Sequence, residues 1–419
     1  MQAREARLAK WRNRYPVLGD LEAAARRRLP YYVFDYLQGA TGDELSRQRN
    51  AAALKAIEIV PRYGVDISAA SSRTTLFGRE FSAPLAISPI GMDGAIWPGA
   101  TRLLAEAARD AGIAYMQSSM ATTALEEAGS IAPDNFWFQL YGFPADDHAV
   151  TFDLVRRARA AGAHVLAVTL DIPGPARRAR DMRNGLGVPL RISPAMAVGT
   201  AMRPQWLAAL ARTGMPRFEN FTPYCREGAG KAQVDAFVAT GRPGAGITWE
   251  TLARIRDAWP GAFVAKGIMH PGDAERAMAL GADGVIVSNH GGRQFDPAPA
   301  PIDVLPAIRA AVGRKTTVLV DGGFMSGTDA LKALACGADG VMAGRAFMLG
   351  LAALGADGAH HVAATLKEEL EIALTQTGAC TVDGARGLAI RHRDAWKPED
   401  FDSPLAAAKK TKSRQGRVS

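Results

Sequence analysis

A closed (β/α)8 barrel of the TIM type is the fold this α/β sequence predicts. Three observations carry that expectation: a recurring helix-glycine-strand unit, eight strand-like runs, and polar residues gathered at the ends of those runs. The unit reads as an amphipathic helix that stops at a glycine and passes at once into an apolar run, as in ARDAGIAYMQSS, ARAAGAHVLAVTLD, AMALGADGVIVSNHGG and ALACGADGVMAGRA. Each glycine suits the left-handed position just past a helix, and the near-continuous hydrophobicity behind it suits a strand buried on both faces.

In chain order the runs are PLAISPIG (84–91), AYMQSSM (114–120), FWFQLYG (136–142), HVLAVTLD (164–171), FVAKGI (263–268), GVIVSNHG (284–291), TTVLVDGG (316–323) and GVMAGRA (340–346). Helical patterns such as GDAERAMALG and TDALKALACG separate them. Apart from the prolines of PLAISPIG and single charges towards the C-terminal ends, the runs carry no edge-like charge or proline, which favours closure over a doubly wound open sheet. Residues 1–83 form an N-terminal helical segment whose stretch LPYYVFDYLQGA is expected near the active face. Residues 84–390 form the barrel, with an insertion at about 172–247, too long for an ordinary loop and holding a predicted helix in PQWLAALARTG. Residues 391–419 are a C-terminal tail.

A length of 419 residues with 48% hydrophobic residues, 22% charged residues and 43 glycines excludes a disordered or fibrous chain. Cys225, Cys336 and Cys380 form no CxxC pair, so a disulfide framework and a thiolate zinc site are not expected, and a reducing compartment fits. The start MQAREARLAKWRNRYPVLGD has no apolar core of a signal peptide, and no apolar run reaches the roughly 18 residues of a spanning helix. The cytoplasm is the expected location. The net charge of +8 is partly held in Arg4, Arg7, Lys10, Arg12 and Arg14 and in KKTKSRQGR. Solvated ends are expected, with peripheral attraction to the inner face of the cell membrane as the second reading. Basic residues are not interleaved with aromatics, so nucleic acid is not an expected partner. His360 and His361 lie on a late helix and are expected to be solvated; no metal site is expected. GxGxxG and GxxxxGK[ST] loops are absent.

In a (β/α)8 barrel the C-terminal ends of the strands build the active site. Here they supply Gln139 and Tyr141, Thr169 and Asp171, Lys266, then Ser288, Asn289 and His290 with Arg293, then Asp321, and finally Gly344 and Arg345. A barrel built for stability alone has no use for such a set. Lys266 within an apolar strand end requires a partner for its charge.

At VSNHGGRQFD, WFQLYG, TLDIPGPARRARD, VAKGI and LVDGG, in that family's order, the chain resembles the FMN-dependent 2-hydroxy-acid oxidases and dehydrogenases. SPIGMDGAIWPG and RPQWLAALARTGMPRFENF are most similar to the mandelate dehydrogenase branch. The resemblance implies FMN as cofactor and oxidation of an L-2-hydroxy acid, mandelate- or lactate-like, to the 2-oxo acid. It implies His290 as the base, oriented by Asp171, with Tyr141 beside it. Arg178 and Arg293 would bind the substrate carboxylate, and Tyr36 and Tyr141 would hydrogen-bond its carboxylate or hydroxyl. Lys266 would sit at the flavin N1/O2 edge, with Pro89 and Ser288 at the cofactor and Ser118, Gln139 and Thr169 on the pyrimidine side. Asp321 would hold the ribityl chain, and amides near Gly323 and Gly344, with Arg345, the phosphate.

Two departures stand out. Met325 and Ser326 occupy positions where the family commonly has arginines, so one charge contact to the flavin is missing. Met120 replaces an aromatic residue found near the substrate side chain in some members. Gly91, a glycine in several dehydrogenases and an alanine in many oxidases, favours a quinone or other carrier as electron acceptor over oxygen. Residues 188 to 216, with Arg191, Arg203, Arg212 and Arg217 nearby, are either a lid or a membrane contact. A homo-oligomer is expected. An oxygen-using oxidase, an FMN-binding barrel of different chemistry and a non-catalytic FMN-binding barrel are the alternatives.

Overall fold

The computed structural model describes residues 2–187 and 192–401. Eight parallel strands close a barrel: β1 (Leu85–Ile87), β2 (Ala114–Ser118), β3 (Phe136–Leu140), β4 (Val165–Thr169), β5 (Ala262–Ile268), β6 (Gly284–Val287), β7 (Thr317–Val320) and β8 (Gly340–Ala343). Closure is made by β8 returning to β1 in the register Val341 to Leu85. Every strand falls on one of the eight sequence runs. Their residues are buried on both faces, which is why the runs lack period-two alternation. Helix Ala100–Ala111 ends at Gly112, where φ is 64° and the N–H returns to the carbonyls of Ala108 and Arg109, the glycine cap that the repeating unit requires.

Small and large residues interleave inside the barrel, with Ala86, Ala114 and Ala167 beside Met116, Trp137 and Leu319. The hairpin of Thr74–Leu76 and Arg79–Phe81 plugs one end. Its Phe77 and Phe81 stand edge-on to Trp137 with ring centroids 5.5 and 5.8 Å away. The polar strand ends therefore open at the other mouth, over which lie the helices Tyr31–Gln38 and Leu45–Ala56.

Two expectations are corrected. The basic N-terminus is a docked helix, Gln2–Arg14, and not a solvated tail: Arg7 and Trp11 donate to Asp357 at 2.8 and 3.3 Å, and Arg4 pairs with Asp110. His360 and His361 are buried, because the helix Gly358–Gln376 packs at once against Ala100–Ala111, Gly327–Ala335 and Arg345–Leu354. His360 Nε2 lies 3.0 Å from Asp110 Oδ2. The basic run KKTKSRQGR lies outside the described residues.

The insertion forms helices Ala179–Arg183, Pro194–Ala201, Pro204–Thr213 and Lys231–Thr240 with a 3-10 turn at Glu219–Tyr224. Trp206 donates to the Ile96 carbonyl at 3.0 Å and Arg203 to the Leu29 carbonyl at 2.8 Å, tying the insertion to the body. Arg217 pairs with Glu219, and Arg191 lies outside the described residues. No described helix is long and apolar enough to cross a membrane.

A bulge in β5 between Lys266 and Ile268 is centred on Gly267, whose φ is 92°. A Cβ added there would stand 2.5 Å from Asp171 Cγ. Gly267→Ala is expected to lose roughly 1–3 kcal/mol in urea unfolding, through backbone strain and displacement of Asp171. A loss within about 0.5 kcal/mol of zero, the range of ordinary surface changes, would contradict this packing.

Candidate active site

The ammonium of Lys266, on β5, is buried and lies 3.0 Å from Asp321 Oδ2 and 2.8 Å from Ser288 Oγ. Burial weakens its hold on the proton, but the facing carboxylates of Asp321 and Asp171 outweigh that, so Lys266 stays charged beyond the ordinary lysine range. Asp321 Oδ1 is buried with no partner among the described residues. From β2 to β4, Ser118 Oγ donates to Gln139 Oε1 and Gln139 Nε2 donates to Thr169 Oγ1, each at 2.8 Å. All three residues are buried.

His290 follows β6 in a turn with φ of 57°, and Gly291 and Gly292 continue it at 62° and 78°. Asn289 holds the turn. Its Oδ1 accepts from the Gly292 N–H at 3.2 Å, and its amide donates to Asn50 Oδ1 at 2.7 Å, Ser46 Oγ at 3.0 Å and the Pro299 carbonyl at 3.0 Å. The imidazole Nδ1 lies 3.1 Å from Asp171 Oδ1, and Nε2 lies 3.4 Å from the Tyr141 hydroxyl. Burial pushes the Asp171 carboxyl up, yet the charges of His290 and Lys266 hold it below its ordinary value. Burial and the Asp171 charge push the Tyr141 phenol up. At neutral pH the pair beside His290 is thus a carboxylate and a neutral hydroxyl.

Arg293 donates to the carbonyls of Tyr36 and Gly39 at 2.8 and 2.9 Å, and its guanidinium stands 4.8 Å over the Tyr36 ring. Arg178 Nε reaches the Arg293 carbonyl at 3.4 Å. Burial, and after it the charge of Arg178, lowers the proton affinity of Arg293. Two guanidinium groups in one buried corner favour an anionic guest. The Tyr36 hydroxyl donates to the Gly91 carbonyl at 3.5 Å, and a Cβ on Gly91 would lie 3.2 Å from that of Met120.

The second anion subsite lies at the loops after β7 and β8. Gly322 and Gly323 have φ of 108° and 100°. Arg345 reaches the carbonyls of Leu37, Gly291 and Gly39 at 3.2, 2.8 and 3.0 Å, and among the described residues no carboxylate is hydrogen-bonded to it. Burial, with the neighbouring charges of Arg293 and Arg47, lowers its pKa to about 9. Ser326 caps the helix Gly327–Ala335, accepting from the Asp329 N–H at 3.0 Å, while Met325 lines the cavity.

One cavity of about 1110 Å³ collects Tyr36, Pro89, Tyr141, Arg178, Lys266, His290, Arg293, Asp321, Gly323, Gly344 and Arg345. Ser118, Gln139, Thr169, Asp171 and Ser288 stand behind its wall. Asp171 backs His290, and Ser288 Oγ accepts from both Lys266 and the His290 N–H. Asp181 also lines the cavity, and sequence reasoning missed it. Its Oδ2 is 3.6 Å from Arg178 and its Oδ1 is buried with no partner among the described residues. Its three-residue spacing from Arg178 was the available signal.

Two anion subsites in one cavity, one beside His290 and one in a glycine cradle, define a class: a barrel enzyme that holds a phosphorylated cofactor against a carboxylate substrate. Residues 25–391 match the family described as FMN-dependent dehydrogenase, and the chain belongs to that family. It is 38% identical over 360 residues to an L-lactate dehydrogenase of Caulobacter vibrioides (strain NA1000 / CB15N), covering 86% of this chain and 93% of the relative. It is 35% identical over 359 residues to the (S)-mandelate dehydrogenase of Pseudomonas putida, covering 86% and 89%. The crystal structure of the monotopic membrane protein (S)-mandelate dehydrogenase superposes with a TM-score of 0.84 at 34% identity, covering 89% of this chain and 98% of that one. The chain is thus an FMN-dependent oxidoreductase of 2-hydroxy acids. The residues present fit FMN: the orphaned Asp321 Oδ1 can accept from a hydroxyl, the glycine cradle and Arg345 suit a phosphate, and buried Lys266 offers a fixed cation.

Burial raises the pKa of Asp181 above 3.8, although Arg293 and Arg178 oppose the rise. Its ionised form therefore costs stability above its folded-state pKa, and that cost fades as pH falls through it. Asp181→Asn is expected to raise Tm at neutral pH, with the gain closing toward the ordinary carboxylate range. A lower Tm at neutral pH would reverse the sign and refute this.

Proposed function

We propose that this chain oxidises an L-2-hydroxy acid with an apolar side chain, mandelate- or lactate-like, with His290 as the base. The carrying observation is the convergence in one cavity of His290, backed by Asp171 at 3.1 Å, with Arg178 and Arg293. Converting CH–OH to C=O removes two protons and two electrons. FMN, when bound, would supply the acceptor for the two electrons and the other proton. His290 Nε2 takes one proton, while the Asp171 carboxylate keeps Nδ1 bonded and stabilises the imidazolium. Arg293 and Arg178 grip the substrate carboxylate, Arg178 exchanging its contact with Asp181 for the substrate. Tyr36 and Tyr141 donate to the carboxylate or hydroxyl oxygen. Pro89, Ser118, Gln139, Thr169 and Ser288 would frame the ring site, and Lys266 would offer a positive charge at the ring's N1/O2 edge. Asp321 would take a ribityl hydroxyl, and Gly323, Gly344 and Arg345 would hold the phosphate.

Met120, Leu207, Leu210, Met215 and Phe218 line the same cavity and support an apolar side chain. His290→Gln is expected to leave a folded, yellow protein whose reduction by an L-2-hydroxy acid under anaerobic conditions slows by roughly 10²–10⁴. Near-normal reduction would remove His290 from the mechanism.

For the acceptor, we propose a quinone or other carrier met at a membrane surface. Gly91 supports the carrier. The insertion supports the surface: it exposes Met182, Ile192, Val198, Met202 and Met215 together with Arg183 and Arg212. The structural relative described as a monotopic membrane protein adds to this. With anionic vesicles carrying a quinone, the protein is expected to co-sediment and to reduce the quinone when substrate is added. Protein left in the supernatant, with peroxide from oxygen as the main product, would overturn both readings.

A further inference from the structure

We propose that Arg47, on the helix Leu45–Ala56 ahead of the barrel, is the second cation of the phosphate site and clamps the FMN phosphate opposite Arg345. The proposal rests on FMN as the cofactor and on the glycine cradle as its phosphate site. A phosphate ester carries nearly two negative charges at neutral pH, so a single buried guanidinium leaves it under-compensated.

The cations lining the cavity, among the described residues, are Arg47, Arg178, Lys231, Lys266, Arg293 and Arg345. Lys266 is held by Asp321 and Lys231 by Asp235, while Arg178 is linked to Arg293 on the substrate side. Arg345 and Arg47 remain for the cradle. Met325 and Ser326, on the loop that follows it, bring no charge, and the Ser326 hydroxyl is used as a helix cap.

Three observations place Arg47 over the cradle. Its backbone N would stand 2.7 Å from a Cβ on Gly292, and Asn50, three residues on, would stand 3.3 Å from a Cβ on Gly323, so this helix roofs both glycine loops. Its guanidinium donates to Gln38 Oε1 at 2.9 Å, while Arg345 Nε donates to the neighbouring Leu37 carbonyl at 3.2 Å. The two guanidinium groups therefore hang from consecutive residues, close enough that the charge of Arg47 weakens the proton affinity of Arg345. The carboxylate nearest to Arg47, that of Glu44 at 3.9 Å, is already taken by Arg180 through two bonds of 2.7 Å. Two converging cations that, among the described residues, hydrogen-bond no carboxylate and share one only at 3.9 Å form a receptor for a dianion.

Flavin fluorescence separates this role from a structural one. The full-length chain, stripped of flavin, is titrated with FMN and separately with riboflavin, which has the same ring and ribityl chain and lacks the phosphate. Arg47→Gln is expected to weaken FMN binding roughly ten- to hundredfold and to leave riboflavin binding unchanged. Arg47→Lys, which keeps the charge and the helix, should lose less, and Met325→Arg in the Arg47→Gln background should restore much of the FMN affinity. An FMN affinity within twofold of the parent in both single variants overturns the proposal, as does an equal loss for FMN and riboflavin. A parent chain that binds both flavins equally would instead remove the phosphate site itself.

Discussion

A residue with a Cβ leaves the left-handed region unless its neighbours hold it there, and His290 sits at φ of 57°. Asn289 supplies the hold, spending its side chain on the Gly292 N–H, on Asn50 and Ser46 of the overlying helix, and on the Pro299 carbonyl. This turn aims the imidazole across the barrel at Asp171 and sends Arg293 back over the mouth toward Tyr36. It also leaves the Gly291 carbonyl facing Arg345. His290, Arg293 and Arg345 thus take their positions from one strained loop.

Electrostatics at the mouth follow a simple division. Where the barrel places its own carboxylates, at Asp171 and Asp321, a cation or imidazole is within hydrogen-bonding reach. Where a guest anion is needed, the arginines rest on carbonyls, which satisfy their N–H groups without cancelling their charge. Asp181 is the exception, a carboxylate parked beside Arg178 and only partly satisfied among the described residues, so that corner is already self-compensated.

The strands are legible in the sequence because each is an apolar run buried on both faces, and β2, β4, β6, β7 and β8 also follow a helix that ends at a glycine of positive φ, two local signals that agree. His290 and Asp171 are legible because they close strands in distinctive runs. Asp181 hides in a basic run that resembles a solvated surface, and Arg47 on a short helix whose seat on the mouth is fixed by contacts with loops more than 200 residues away. The plug hairpin escapes notice because strands of three residues carry too little pattern. His360 and His361 look exposed because nothing local reports that their helix is enclosed by three others.

The Gly39 carbonyl accepts from both Arg293 and Arg345, at 2.9 and 3.0 Å. A single peptide plane outside the barrel is thus a common anchor for two arginines, so neither can be retuned without tugging on the other. The family match opens at residue 25, well before the first barrel strand. For anyone recombining such chains, the transferable unit is the barrel together with the helices before it. A crossover just ahead of β1 would transplant Arg293 and Arg345 while leaving behind the Tyr36, Leu37 and Gly39 carbonyls that help aim them.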